Sequence, residues 1–234
     1  MPNPYFSFKR FTVHHDRCAM KVGTDGVLLG AWADVASSER LLDIGTGSGL
    51  IALMCAQRSN SWITAIDIDE GAVEQAQINF SLSPWKDRLE VVQGDLCDFQ
   101  PSGLYDVIVS NPPYFIDSLK CPDGQRTTAR HTDTLTPEQL LGNAYRMLHP
   151  QGHLSLVLPY EQSSGWIRLA EDYGWFLTRH TAVITRIGLE PKRSLLEFRK
   201  QPTTCLSDSL TIELERHVYT EEYIALTKEF YLKM

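Results

Sequence analysis

Leu41-Leu42-Asp43-Ile44-Gly45-Thr46-Gly47-Ser48-Gly49 decides how this chain folds. Leu41 to Ile44 reads as a short buried strand, and three glycines at alternate positions end it at once. The residues that follow, Leu50, Ile51, Leu53, Met54 and Ala56, are apolar on most faces, which predicts a helix lying against a sheet. Glycine suits the turn because the chain bends tightly there and can approach a ligand with no Cβ in the way. The spacing is G-x-G-x-G with leucine at position 50, which departs from the G-x-G-x-x-G of dinucleotide sites. Asp43, placed before the glycines, would repel a diphosphate and suits a ligand carrying an ammonium group.

Downstream, Trp62 to Asp67 is the next strand, and Asp69 can cap a helix striped by Ala72, Val73, Ala76 and Phe80, which Pro84 ends. Leu89 to Val92 is a third strand closed by Gly94-Asp95, and Asp106 to Val109 a fourth. Strands alternating with helices at this spacing predict βαβ units and a mainly parallel sheet. Asp67 ends its strand about 20 residues after the glycines, where a carboxylate holds a ribose diol. Asp95 and Leu96 can hydrogen-bond and flank an adenine. With Gly45, Thr46, Gly47 and Gly49 they describe a pocket for a nucleoside whose far end is an amino acid.

The fourth strand runs into Ser110-Asn111-Pro112-Pro113-Tyr114. Proline lacks the N–H that a sheet ladder needs, so the strand stops here. Its carboxyl end presents an amide, carbonyls without neighbouring amide donors and an aromatic ring, at the end of an open α/β sheet where ligands sit.

Residues 115–135 show no period, and a loop of that length inside a compact domain is usually functional. Thr136 and Gln139 form a capping box with Pro137 at the first helical position, and Leu140, Leu141, Ala144, Met147 and Leu148 make the apolar stripe. Pro150-Gln151-Gly152 stops that helix, and His153 to Leu158 is the fifth strand. A helix over 161–173, an antiparallel pair over 175–186 and 193–200, an edge strand from Leu210 to Leu214 and a helix from Thr220 to Tyr231 complete the chain. At the other end, residues 8–22 predict a hairpin turning near His15-Asp16-Arg17, then a turn over Gly23 to Gly26 and an apolar helix from Val27. The economical organisation is one domain over 1–234: an extension at 1–35, a core at 36–200, and a terminal strand and helix at 201–234.

The net charge of −7 disfavours broad phosphate binding, so any nucleic-acid contact needs locally gathered cations. Lys9, Arg10, His14, His15, Arg17 and Lys21 form one set, and Lys120, Arg126, Arg130 and His131 another. His14 and His15 are expected to face solvent, and Trp32, Trp62, Trp166 and Trp175 to pack. Five scattered cysteines without C-x-x-C spacing point to reduced thiols in the cytoplasm, with neither a disulfide framework nor a metal site. No apolar run approaches the roughly 20 residues of a membrane span, and Met1 to Ser7 is unlike a secretory signal.

Asp43 to Gly49, Asp67 and Asp95 resemble the cofactor motifs of class I S-adenosylmethionine-dependent methyltransferases. Asn111-Pro112-Pro113-Tyr114 resembles the signature of the amino-group methyltransferases among them, which act on adenine N6, guanine N2 or glutamine N5. Phe8 to Trp32, Arg126 to His131 and Tyr219 to Lys233 are similar to the bacterial tRNA1(Val) adenine-N6 methyltransferase family, which modifies the adenine 3′ of the anticodon, position 37. The resemblance implies a Rossmann-like, mostly parallel seven-stranded sheet with an antiparallel C-terminal edge. It also implies S-adenosylmethionine as cofactor, contacts from Thr24 and Ile68 to it, and a tRNA anticodon loop as partner. Lys9, Arg10, Arg17, Lys21, Arg126, Arg130 and His131 are the residues that would grip the RNA.

An exocyclic amine is a poor nucleophile because its lone pair is delocalised into the ring. If the Asn111 oxygen and the Pro112 carbonyl accept from the NH₂, the nitrogen is held toward tetrahedral geometry and its developing charge is stabilised. Pro113 stiffens the turn, and Tyr114 would stack on a base swung out of its loop. A glutamine amide presents the same donors, so a glutamine-N5 protein methyltransferase is the rival, with DNA adenine or rRNA guanine-N2 enzymes behind it. A methyltransferase-like module without catalysis would not need the intact glycines and Asn-Pro-Pro-Tyr, and the glycine spacing disfavours a nicotinamide oxidoreductase.

Overall fold

A computed structural model describes residues 3–18, 21–113 and 135–233. Strands β1 (Tyr5–Ser7) and β2 (Thr12–His14) form a small antiparallel hairpin. Helix α1 (Thr24–Trp32) leads into β3 (Arg40–Ile44), α2 (Leu50–Arg58), β4 (Trp62–Asp67), α3 (Glu70–Ser81), β5 (Leu89–Gln93) and β6 (Tyr105–Ser110). Then come α4 (Pro137–Met147), β7 (Leu148–Pro159), α5 (Tyr160–Asp172), β8 (Phe176–Arg186), β9 (Arg193–Arg199), β10 (Leu206–Glu215), β11 (Val218–Tyr219) and α6 (Glu221–Thr227).

One sheet carries β11-β10-β8-β9-β7-β6-β3-β4-β5 in that order. From β8 to β5 this is the expected seven-stranded arrangement, with β9 antiparallel to both its neighbours. The sheet is wider by two strands, because β10 pairs parallel to β8 over Leu206 to Glu213 and β11 folds back on it.

Successive strand residues point to opposite faces, so Leu41 and Leu42 serve different cores, as do Leu195 and Leu196. One face buries Leu41, Ile63, Val109 and Leu195 under α1, α2 and the Phe80 end of α3. The other buries Leu42, Ile108, Leu156 and Leu196 under α4 and α5. Asp69 caps α3 by accepting from Ala72 N at 2.8 Å, and the capping box of Thr136 and Gln139 starts α4.

Several local expectations are corrected. The hairpin turns at Phe8 to Phe11, where Phe8 N donates to Phe11 O at 2.8 Å, and not at His15 to Arg17. Two aromatic corners facing the core read falsely as strand: Phe8 and Phe11 are both buried and their rings stack at 4.7 Å. His15 is buried and contacts Asn3 O at 3.0 Å through Nε2, whereas Trp62 is 66% exposed on β4. Pro150 to Gly152 lie inside the irregular start of β7, and the helix already ends at Met147. The last helix is shorter than expected, with Thr220 as its cap.

Candidate active site

The chain runs outward from β3 through β4 to β5, then returns to pair β6 on the other side of β3. Adjacent connections therefore leave in opposite directions beyond the carboxyl ends of β3 and β6, which opens a crevice there. Ile44 and Ser110 are register partners, and Ser110 Oγ donates to Ile44 O at 2.8 Å. The glycine loop and Asn111 thus begin side by side.

The loop is held from below. Asp43 is fully buried; its Oδ2 accepts from Thr46 Oγ1 at 2.7 Å and from Ala52 N at 3.2 Å. Burial raises its pKa to about 7, against the opposing pull of the Thr46 hydroxyl and the Ala52 amide. Asp43 lines neither cavity of the site and stands behind the loop. Gly45 and Gly47 have φ of 67° and 56°, and a Cβ on either would stand in open space on the cavity side. Gly49 differs: its Cβ would lie 2.5 Å from Phe80 Cε1, so that glycine serves helix packing.

A cavity of about 300 Å³ lies over β3, β4 and the turn after β5. Asp67, Ile68, Asp95 and Leu96 line it with Pro112 and Pro113. Asp67 Oδ2 accepts from Gly47 N at 2.8 Å and Oδ1 from Asp69 N at 3.0 Å; Asp95 Oδ1 accepts from Cys97 N at 2.8 Å. Among the described residues, Asp67, Asp69 and Asp95 give this cavity three carboxylates and no cation. A cleft of about 930 Å³ continues over α1 and the outer strands, lined by Thr24, Thr46 and Lys21 among others. Among the described residues only Gly45, Gly47 and Asn111 belong to both cavities, so Asn111 stands where they meet.

Three of the four described members of the expected RNA-gripping set have partners elsewhere. Lys9 Nζ donates to Lys228 O at 2.5 Å, Arg10 lies 5.4 Å over the Trp85 ring, and Arg17 pairs with Glu74 at 2.7 Å. Of the described members only Lys21 lines the site. Tyr114, Lys120, Arg126, Arg130 and His131 lie outside the described residues.

Sequence reasoning missed Asn79, whose Nδ2 donates to His14 O at 2.9 Å and Ser48 O at 2.8 Å, tying the N-terminal extension to the glycine loop. It also missed Lys192, Arg193, Tyr219, Tyr231 and Lys233 on the larger cleft. They come from segments far apart in the chain; the resemblance over Tyr219 to Lys233 marked the C-terminal segment but gave its side chains no role.

A model of the methyltransferase small domain matches residues 20–172. The chain belongs to the methyltransferase small-domain family. This methyltransferase is 61% identical over 234 residues to the tRNA1(Val) (adenine(37)-N6)-methyltransferase of Phocaeicola vulgatus, with 100% of each chain covered. It is 47% identical to the protein of the same name from Aeromonas salmonicida, with 99% of each covered. In fold it is similar to a predicted O-methyltransferase from Agrobacterium tumefaciens, with a TM-score of 0.68 and 20% identity, covering 88% of this chain and 96% of that one. The cofactor of this methyltransferase is S-adenosylmethionine, and the residues present fit it. The glycine cradle admits a ligand against bare backbone, and a cavity of three carboxylates suits a nucleoside without phosphates that ends in cationic groups. Among the described residues, no helix is long and apolar enough to cross a membrane, and no cluster of His, Cys, Asp or Glu could hold a metal ion.

Proposed function

We propose that the protein transfers a methyl group to the exocyclic N6 of adenine 37, 3′ of the anticodon, in tRNA1(Val). The observation that carries this reading is Asn111, which faces both a carboxylate-lined nucleoside cavity and a wider, cation-bearing cleft. The names of relatives that match over the full chain supply the target base and the tRNA.

When bound, S-adenosylmethionine supplies an electrophilic methyl group on a sulfonium that leaves as a neutral thioether. Asp67 is the acceptor for the ribose hydroxyls, Asp95 and Leu96 hold and flank the adenine, and Ile68 covers it. Gly45 and Gly47 let the backbone come close, Asp43 and Thr46 keep the loop in shape, and Thr24 faces the methionine end. Asn111 Oδ1 and the Pro112 carbonyl accept the two N–H bonds of the target amine. This localises the nitrogen lone pair and stabilises the positive charge that grows on it. Pro113 offers no N–H to compete, and Tyr114 stacks on the extruded base. Water takes the surplus proton after transfer.

The test is to offer the protein labelled S-adenosylmethionine with total tRNA, DNA or a release factor, and to map the labelled product. N6-methyladenosine in the anticodon loop is the expected outcome. Label in the protein substrate and none in RNA defeats the reading and favours the glutamine-N5 alternative.

A further inference from the structure

The larger cleft carries more than the reacting centre needs. Lys21, Lys192 and Lys233 line it, all exposed, and none has an ion-pair partner among the described residues. Its two carboxylates are already answered, Asp25 by Arg193 at 2.8 Å and Glu213 by Arg186 at 3.4 Å. In a chain of net charge −7, this wall is therefore locally cationic. It is also aromatic. Phe6 comes from the N-terminal hairpin, and Tyr219, Tyr223 and Tyr231 from the C-terminal segment. The Phe6 and Tyr231 rings meet edge-on at 6.0 Å, and Tyr223 lies 5.4 Å from Tyr219 and donates its hydroxyl to Tyr231 at 3.4 Å. Burial pushes the Tyr223 and Tyr231 phenols above their ordinary range, so these two rings stay neutral. Lys9 N donates to Phe230 O at 2.8 Å, which fastens the hairpin to the C-terminal segment and makes one surface of the two.

We propose that this surface seats the unpaired nucleotides flanking the target adenine, with Phe6, Tyr219 and Tyr231 taking bases and Lys21, Lys192 and Lys233 taking phosphates. The proposal rests on the reading of the protein as a tRNA adenine methyltransferase. Single-stranded RNA is held by this pairing of π faces with a cationic track. A cleft of about 930 Å³ stands near the top of the range for whole small-molecule sites, so it has room beyond one base. The cavity lined by Asp67, Asp69 and Asp95 has the opposite charge and would repel a phosphate chain.

The test compares wild type, the Lys192→Ala/Lys233→Ala double variant, Tyr219→Leu and Tyr219→Phe on an anticodon stem-loop RNA. Cofactor affinity is measured alongside by calorimetry. In the double variant the KM for RNA should rise and the slope of log KM against log salt should fall by about 1.4, at ~0.7 per lost phosphate contact. Tyr219→Leu should raise that KM roughly tenfold, the loss of one base stack, while Tyr219→Phe keeps it near wild type. Cofactor affinity and kcat at saturating RNA should stay within about threefold of wild type throughout. The placement is overturned if the double variant keeps the wild-type salt slope, or if Tyr219→Leu and Tyr219→Phe behave alike. A wild-type protein that leaves RNA unmethylated defeats the underlying function instead, and the two failures are thereby distinct.

Discussion

The Asp67 carboxylate accepts the backbone amide of Gly47 at 2.8 Å, binding the turn after β3 to the end of β4. One carboxylate therefore shapes the glycine loop and, in the proposed function, receives the ribose. With its other oxygen held by Asp69 N at 3.0 Å, it is fixed in place before any ligand arrives. Replacing Asp67 with alanine should weaken cofactor binding at least tenfold, since hydrogen bonds to a charged group contribute about 1.5–3 kcal/mol each. Calorimetric titration with S-adenosylmethionine checks this, and an affinity within twofold of wild type would remove Asp67 from the site.

Asn111→Ala should leave cofactor binding intact and lower kcat by roughly 10²–10³, the usual effect of deleting one preorganised electrostatic partner. Single-turnover methylation alongside binding measurements separates the two quantities. An unchanged rate would show that the amide oxygen does not hold the target amine.

Two glycines in one loop should fail differently. Gly47→Ala places a methyl group in the open cradle at a φ of 56°, so cofactor affinity should drop more than thermal stability. Gly49→Ala drives a methyl into Phe80, 2.5 Å away, so Tm should fall by several degrees. Melting curves with and without S-adenosylmethionine test the contrast.

Asp43 sets a pH dependence. Buried in the folded chain it keeps its proton up to about pH 7, whereas an unfolded chain loses it near 3.9. Between these values the folded state binds more protons, so this group's contribution to stability falls as pH rises from about 4 to 7 and is level above. Asp43→Asn should remove that slope while its amide oxygen still accepts from Thr46 and Ala52. Asp43→Ala should lose both anchors and cofactor binding with them. Tm measured across pH for wild type and Asp43→Asn reads the difference directly.

The βαβ half was legible because backbone demands wrote it: alternate glycines for positive φ, prolines to stop β6, and Thr136 with Gln139 to start α4. The outer sheet was harder to read, because β10 is exposed along most of its length and has only Leu210 and Ile212 buried. Its apolar signal is too short to show a ten-residue strand. The hairpin misled for the opposite reason, as Phe8 and Phe11 are core residues placed in a turn. Charge alone also left the partners of Arg10 and Arg17 unread, which are the Trp85 ring and Glu74. Lys192 and Lys233 gain meaning only once β9 and the C-terminal segment converge on α1.

The division of labour across the sheet has an evolutionary consequence. In the proposed function, donor chemistry sits at the ends of β3, β4 and β6, where side chains and backbone groups bind one another, as Asp67 does Gly47 N and Ser110 does Ile44 O. The wider cleft draws on β8, β9, β10 and both chain ends, mostly through side chains. If the outer cleft seats the RNA as proposed, substitutions in those segments change which polymer is held while leaving the methyl-donor half in place.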